Sequence, residues 1–596
     1  MMPIYTPPIE DFKFLLHDVL RIGEITDLKS FEELDEDTVN AIIEAAGEFT
    51  SEVLAPLNES GDREGAQLTQ QGVTTPSGFV EAYRQFIDGG WASLIARPEH
   101  GGQGLPHIFK NIMDEMLGAA NLAFAMCPAT SPGVYQILLH HGTDEMRDVY
   151  VPRIVSGEWA TAMSLTEPQC GSALGLIRSR AEPQEDGTYK ITGTKMFNSW
   201  GDHDMAGNIV HLVLAKLPGA PEGTRGISLF LVPKFLPNGS GEAGARNNFS
   251  CGSLERKMGI HASATCVTNF DGATGYLVGK PNQGLPNMFV LMNTMRLATG
   301  AMATGIADTA YRHALSYTKE RIAGRAASGA KYPDLAGDPI IVHPDVRRML
   351  MTMRAFTEGA RQFCLWIGLN LERAAIHDDP KTRQECDELV SLLTPVVKAF
   401  LSDKSFESID MALQCYGGHG YIQDNGIEQY LRDERMLRLG EGTSGIQAMD
   451  LLHRKVLLDD SKTLDRYFAL IRDFAAQMPE TNRLNALSQT LTHELARLEN
   501  LTRELSHALR TDGEALGAAS FDYLNMLGHL SLAFMWAQAA AAAERELGSG
   551  KSGQFYENKL ATAEFYFARV LPEMLSLEAK IRAGASTLMR ITDDAF

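Results

Sequence analysis

The chain has 596 residues, with 54 Lys and Arg against 75 Asp and Glu, for a net charge of −21. Hydrophobic residues make up 44% and charged residues 22%, which excludes a disordered chain, and the acidic balance argues against nucleic acid as a main partner because phosphates need a basic footprint. The length is too great for one core and predicts three or four domains. An anionic ligand held in a local basic site stays open.

The seven cysteines (Cys127, Cys170, Cys251, Cys266, Cys364, Cys386 and Cys415) are scattered without a C-x-x-C pair. Neither a zinc site nor a disulfide framework is expected, and free thiols in a reducing cytosol fit this pattern. The opening MMPIYTPPIEDF lacks a basic segment ahead of an apolar one, and the final DDAF is no peroxisomal address, so no such targeting is expected. The longest apolar run, Leu532–Ala543, is broken by Gln538 and falls short of the roughly 20 residues that a bilayer span needs. A soluble, cytoplasmic protein without a membrane span is the expectation.

Residues 1–160 read as helical: Thr38–Leu57 and Phe79–Ile87 carry apolar residues at helical spacing, broken by loops such as EHGGQGLP at 99–106. From residue 161 the pattern changes. YKITGTKMF (189–197), NIVHLVLAKL (208–217), GISLFLVPKFL (226–236) and TCVTNF (265–270) are short, rich in β-branched or aromatic residues, and separated by Gly, Pro and Asp. With no helical stretch between them, a small antiparallel barrel or sandwich is predicted rather than a βαβ sheet. Helical spacing returns at Gln283, with long segments at Pro286–Lys319, His343–Arg373 and Cys386–Leu413. After an acidic join, DDSKTLD (459–465), a second helical block follows. In it Leu484, Leu487, Leu491, Leu495, Leu498, Leu501 and Leu505 form one apolar stripe, and ELGSGKSGQ (546–554) reads as a turn between helices. No tandem repeat is visible.

Several motifs invite a test. GEGTSG at 440–445 has dinucleotide-fingerprint spacing, but that motif follows a strand, and EQYLRDERMLRL before it is charged and helical. GSGKSG at 548–553 imitates a phosphate-binding loop, yet Arg545 stands where the first glycine is required. His140, His141, His203 and His419 lack metal-ligand spacing, so no metal site is expected, and no G-x-S-x-G elbow supports a serine hydrolase. What remains is Glu441 between Gly440 and Gly442. The glycines allow close approach to a ligand, Thr443 and Ser444 offer hydroxyls and can cap the next helix, and a helix start favours a polarised oxygen. A carboxylate desolvated there has its pKa raised, as a general base near neutral pH requires. From the loop alone, two roles stand open for Glu441: such a base, or a carboxylate that stabilises a helix N-terminus.

Over residues 40–460 the chain resembles the acyl-CoA dehydrogenase family, on six motifs in order. MSLTEPQCGSALG (163–175) resembles Y-x-V-T-E-P-x-x-G-S-D, and GTKMFNSWG (193–201) resembles G-x-K-x-W-I-T-N-G. MNTMRLATG (292–300) is similar to the D-x-x-R region, and YTKER (317–321) to the segment ending in a cofactor-binding arginine. QCYGGHGY (414–421) and LRDERMLRLGEGTSGIQ (431–447) resemble Q-x-x-G-G-x-G-[FY] and R-D-x(7)-E-G-T-x-x-I-Q. The implied fold is mainly α with a central β domain. It comprises a helical domain (41–160), a small antiparallel β-barrel (161–282) and a four-helix bundle carrying the base (283–460). The length resembles a bacterial subgroup with an N-terminal extension (1–40) and an additional C-terminal helical domain (461–596). That subgroup includes enzymes for straight-chain acyl-CoA and for 3-(methylthio)propanoyl-CoA.

The resemblance implies FAD-dependent α,β-dehydrogenation of an acyl-CoA thioester to trans-2-enoyl-CoA. Glu441 is the implied α-proton base, flavin N5 the hydride acceptor, and electron-transferring flavoprotein the recipient of the electrons. The thioester oxygen is held by the backbone N–H of Glu441 and a ribityl hydroxyl. Leu165 and Thr166 match the loop that touches the flavin pyrimidine, and Met163 stands where an aromatic is usual. Ser172 matches a serine shared by the FAD phosphate and CoA. Phe197 and Ser199 match the Trp and Thr that cover the ring and approach N5. Arg321, Gln414, Gly418 and Thr443 match residues that clasp the FAD tail, partly from a neighbouring subunit, which implies a dimer or tetramer. Asn293, Arg296, Gly440 and Gly442, with Ser172, fall on the substrate side.

There are departures from the family pattern. Gly440 replaces a bulky aromatic and should widen the acyl end of the pocket. Asn293 replaces an acidic residue, Ala173 replaces Asp, and Asn198 and Trp200 replace Ile and Asn beside the flavin-covering residues. An acyl-CoA oxidase using oxygen is the alternative on the same scaffold. A DNA-binding flavoprotein of the superfamily is disfavoured by the charge of −21.

Overall fold

The computed structural model describes residues 5–551 and 553–596. Residues 1–4 of the opening segment and Ser552 of the GSGKSG turn lie outside the described residues. The chain divides into two compact units: one comprises residues 46–105 and 116–298, the other 1–45, 106–115 and 299–596.

The first unit holds the β domain. Its main sheet has seven strands: β1 (Trp159–Ser164), β2 (Arg180–Pro183), β3 (Tyr189–Ser199), β4 (Asn208–Lys216), β5 (Ile227–Pro233), β6 (Phe249–Leu254) and β7 (Thr265–Leu277). Pairing runs β7–β3–β2–β4, and β5 bonds both β4 and β7, so five strands close a ring, with β6 and β1 added outside it. This is the expected barrel, filled by Ala181, Ile191, Val213, Phe230, Val232, Phe249 and Phe270. It is not antiparallel throughout. β1 runs parallel to β4, from Trp159 opposite Asn208 to Ser164 opposite Val213. The strand WATAMS escapes sequence reasoning because a six-residue apolar run has no decisive period.

The Thr38–Leu57 stretch is not one regular helix. An α-helix at Glu36–Glu48 passes into a π-helical turn at Phe49–Leu54, then a helix at Pro56–Glu64. The hydroxyl of Thr50 donates to the carbonyls of Ala46 (2.7 Å) and Gly47 (3.1 Å), and that of Ser51 to Gly47 (2.7 Å). This back-bonding, with Pro56 just beyond, loosens the ladder.

The second unit is helical. The 37-residue helix α1 (Gly284–Glu320) contributes its residues from Thr299 onward. The others used below are α2 (Pro344–Ile376), α3 (Pro380–Tyr416), α4 (Ile427–Leu437), α5 (Ser444–Met449), α6 (Asn482–Thr511), α7 (Gly513–Gly548), α8 (Gln554–Phe565) and α9 (Glu573–Ala583). The leucine stripe lies on α6, buried from Leu484 to Leu501 and half-buried at Leu505. α7 crosses α3 where Gly528 leaves room for Phe400; a Cβ there would lie 2.3 Å from the ring. By length and composition α7 could span a bilayer, but 89% of its most apolar window is buried inside the protein.

One buried charge cluster ties the unit together. Arg361 of α2, fully buried, pairs with Glu115 (2.7 Å), Asp308 (3.3 Å) and Asp11. Lys559 of α8 pairs with Asp11 and with Glu358 (2.8 Å). Burial alone would raise the Asp11 carboxyl, but Lys559 and Arg361 hold it well below its ordinary range. Burial pushes Glu115 up to about 7 against the pull of Arg361.

Candidate active site

In the helical unit the base candidate sits in the link from α4 to α5. α4 closes with Gly440 N–H on the carbonyl of Met436 (2.9 Å). Glu441 then takes a left-handed backbone, φ 56°, and Gly442 follows at φ 93°. The turn needs glycine at 442: a Cβ there would also lie 2.8 Å from Gln447 Nε2. Gln447 donates from that nitrogen to the Glu441 carbonyl (2.9 Å). From α3, Lys398 Nζ donates to the carbonyls of Gly442 (2.7 Å) and Arg438 (3.2 Å). Asp403 of the same helix accepts from Arg438 Nε (2.6 Å) and the Ser444 hydroxyl (3.0 Å).

This corrects the expected helix cap. Thr443 occupies the N-cap position, but among the described residues its side chain makes no cap hydrogen bond, and the Ser444 hydroxyl is turned to Asp403 instead. The helix it starts is six residues long and continues as a π-helical stretch, Asp450–Leu457. Beside the loop, Glu434 of α4 is fully buried with neither oxygen in a hydrogen bond among the described residues. Burial, with Asp403 adding to it, raises its pKa well above the carboxylate range despite Arg438.

The FAD-tail candidates form a separate exposed group. Arg321 lies just past α1, Gln414 near the end of α3, and Gly418 in the turn Gly417–Tyr421. Tyr317 links these segments: its ring stacks on Tyr416 at 4.2 Å, and its hydroxyl meets His419 Nδ1 at 2.9 Å.

In the β unit the flavin-side loop leaves β1 at Met163 and runs through Leu165, Thr166 and Ser172. Its keystone is Glu167. That carboxylate accepts from Lys195 Nζ (2.9 Å), the Ser179 hydroxyl (2.6 Å), Ser179 N (3.0 Å), Arg178 N (2.6 Å) and Gln169 Nε2 (2.7 Å). Burial opposes its charge, but Lys195 and the hydrogen bonds hold its pKa at about 2. Lys195 also donates to the Leu165 carbonyl (3.0 Å), and Met196 N–H to that of Thr166 (3.0 Å). Loop and strand β3 are thereby one piece.

On β3, Phe197 is 57% exposed at φ 59°. A large exposed aromatic on strained backbone is costly for a fold and marks a binding face. Its neighbours turn inward. Asn198 is buried on Thr268 Oγ1 (2.9 Å), and Trp200 is buried with its indole N–H on the Ala123 carbonyl (3.1 Å). The two departures beside the covering residues therefore fill the core rather than the exposed face. Ser199 is half-buried at the end of β3. Asn293 and Arg296 lie one turn apart on α1, joined at 3.3 Å, with Arg296 buried.

Met163, Leu165, Thr166 and Ser172 share one loop locked to the strand that carries Phe197 and Ser199, whereas the substrate-side candidates are divided among that loop (Ser172), α1 (Asn293 and Arg296) and the α4–α5 link (Gly440 and Gly442). Residues not named were Glu167, Lys195, Lys398, Asp403 and Gln447. Three of these stand inside the quoted motifs; Lys398 and Asp403 lie on α3, outside every motif and between those at 317–321 and 414–421. The exposed Phe197 face beside the half-buried Thr166, on a loop locked to its strand, fits a planar heteroaromatic ring such as flavin.

Comparison with known proteins agrees with this geometry. Models of the acyl-CoA dehydrogenase N-terminal domain match residues 36–158, of the middle domain 162–273 and of the C-terminal domain 282–456. A model described as acetyl-CoA dehydrogenase C-terminal like matches 467–592. The chain is 40% identical to 3-methylmercaptopropionyl-CoA dehydrogenase of Ruegeria pomeroyi, over 98% of this chain and 99% of that protein. It is 32% identical to a broad-specificity linear acyl-CoA dehydrogenase of Mycobacterium tuberculosis, over the full length of both. Its fold is similar to that of an acyl-CoA dehydrogenase from Bacillus anthracis solved with FAD, at TM-score 0.70 and 18% identity, over 96% of this chain and 94% of that one. The chain therefore belongs to the acyl-CoA dehydrogenase family, as an FAD-dependent oxidoreductase acting on CH–CH bonds.

Proposed function

We propose that Glu441 is the base that removes the α-proton of an acyl-CoA thioester, giving trans-2-enoyl-CoA. The observation that carries this reading is the left-handed backbone of Glu441 in a glycine-flanked loop anchored from α3. FAD, when bound, supplies the hydride acceptor for the β-hydrogen. The Glu441 carboxylate takes the proton, and its backbone N–H donates to the thioester oxygen, where charge develops in the transition state. Phe197, Ser199, Met163, Leu165 and Thr166 hold the flavin ring; Ser172, Arg321, Gln414, Gly418 and Thr443 hold its tail. The exposure of Arg321, Gln414, Gly418 and Thr443 supports a tail clasped partly by a second subunit, and so a homo-oligomer.

Arg296, Asn293, Gly440 and Gly442 form the substrate side, and 3-(methylthio)propanoyl-CoA is the favoured substrate over a plain fatty acyl-CoA. The relative of Ruegeria pomeroyi supports the thioether, and the linear-chain relative keeps fatty acyl-CoA in the comparison. Electrons pass to electron-transferring flavoprotein, and the enzyme works in the cytoplasm. Residues 41–160, 161–282 and 283–460 are its three domains, with 1–40 and 461–596 as additions.

The test is an anaerobic absorbance titration with 3-(methylthio)propanoyl-CoA, butyryl-CoA and longer acyl-CoAs. The wild type should bleach its flavin band with one chain class. Glu441→Gln should bind the same thioester without bleaching; full bleaching by that variant would end the assignment.

A further inference from the structure

Glu441 stands in a backbone region that residues with a Cβ avoid, and such a conformation persists only where the surroundings over-determine it. The restraint comes from α3, 40 or more residues earlier in the chain. Lys398 is fully buried in mid-helix. Its ammonium donates to backbone, to the carbonyls of Arg438 and Gly442 that flank the base on either side. The Arg438 carbonyl lies at the C-terminal end of α4, where the helix dipole favours a cation. Five residues along α3, Asp403 grips the same two sides through side chains, taking Arg438 Nε and the Ser444 hydroxyl. Gln447 holds the carbonyl of Glu441 itself. Three carbonyls of the loop, at 438, 441 and 442, are thus held by side-chain donors, and the peptide planes around Glu441 have fixed orientations.

We propose that Lys398 is the positioning residue of the catalytic loop: by anchoring the carbonyls of Arg438 and Gly442 it holds Glu441 in the left-handed backbone from which both its carboxylate and its N–H act. The proposal rests on the reading of Glu441 as the base. Lys398 acts through the loop, by its hydrogen bonds to backbone carbonyls on both sides of Glu441. A donor that only satisfied two buried carbonyls would matter to stability and not to turnover. A positioning donor matters to kcat, because displacing a reacting group by about 1 Å costs on the order of 10²-fold in rate.

Lys398→Met keeps the chain length and removes the donor. In the flavin-loaded enzyme it should lower kcat by roughly 10²-fold with KM for the acyl-CoA nearly unchanged. Amide hydrogen exchange should quicken in the peptide covering residues 438–443 and stay at the wild-type rate in the barrel strands. Lys398→Gln, which restores an N–H donor on a shorter stem, should recover part of kcat and part of the protection. If Lys398→Met does not fold, Lys398→Gln is judged by the same two readouts. Wild-type kcat in either folded variant overturns the proposal. So does faster exchange spread evenly over the protein with loss of FAD, the mark of a merely structural lysine. The exchange readout is independent of the chemistry. If Glu441→Gln proves fully active while Lys398→Met loosens only 438–443, the base assignment fails and the anchoring of the loop stands.

Discussion

Glu167 and Lys195 form a fully buried ion pair, 2.9 Å apart, that welds the loop after β1 to strand β3. Five donors converge on the carboxylate, so removing it strands the Lys195 ammonium in the barrel wall. Breaking one side of such a pair typically costs about 3–5 kcal/mol. Glu167→Ala should therefore lower the denaturant midpoint and release FAD together. Because the folded pKa, about 2, lies below the ordinary 4.5, the stabilisation from Glu167 is present above pH 4.5 and is lost as pH falls towards 2. The variant should show a correspondingly flatter acid branch in a Tm–pH series.

Phe197→Gly separates binding from folding. The side chain is largely exposed and its backbone is left-handed, so glycine removes strain without opening the core. The apoprotein should keep or slightly raise its Tm, while flavin retained through gel filtration should fall. A drop in apoprotein Tm of several degrees would show that Phe197 serves packing.

Two glycines three positions apart, Gly442 in the loop and Gly445 at the start of α5, should respond in opposite ways. Gly442→Ala meets both a φ of 93° and the Gln447 amide at 2.8 Å, so it should destabilise by about 1–2 kcal/mol and depress kcat. At Gly445 a Cβ meets nothing within 4 Å among the described residues, and the position lies in α5. Gly445→Ala should leave folding intact or add up to about 1 kcal/mol through helix propensity. Urea unfolding and steady-state turnover check both.

Glu434→Gln tests the buried acid of α4. Burial raises its folded pKa above the ordinary 4.5, so the wild type loses stability as pH rises through that raised value. The amide cannot ionise. The two proteins should match in Tm at pH 4.5 and diverge upward in pH, the variant being the more stable. Parallel curves would mean the carboxyl is ionised and paired.

Arg361→Met should be among the most damaging single changes. It leaves Asp11, Glu115 and Asp308 facing one another without their shared cation, at a cost of about 3–5 kcal/mol. Asp11→Asn with Arg361→Met should recover part of the loss, which a double-mutant cycle in guanidinium chloride measures.

Much of this architecture was legible before the fold. The three long bundle helices differ from the expected spans by one to six residues at each end, since a 3.6-residue period sustained over many turns is hard to mistake. Four of the five ring strands, β3, β4, β5 and β7, are legible where alternation or a full apolar run meets a turn, but the four-residue β2 and the six-residue β6 are not. β1 was missed for want of length, and the bend at Phe49–Leu54 because hydroxyl back-bonding leaves no periodic trace. At the site, the glycine-flanked loop singles out Glu441 with two roles open, and the family motif makes it the proposed base; neither points to Lys398, whose proposed role depends on α3 reaching that loop. Long-range partners such as these have no local signature: a buried lysine reads as a flaw in an apolar face until its acceptors are in place.

The cluster around Arg361 has a consequence for synthesis. Asp11 is made almost first, yet its Lys559 partner lies 548 residues later in the chain. At translation speeds of about 5–20 residues per second, that interval is roughly half a minute to two minutes. The unit carrying the barrel is complete once residue 298 has left the ribosome. The helical unit must keep the acids of its first and third segments waiting, in water, until its last helices arrive. A chain stopped before α8 would present a finished flavin-side face and an unclosed base-side core.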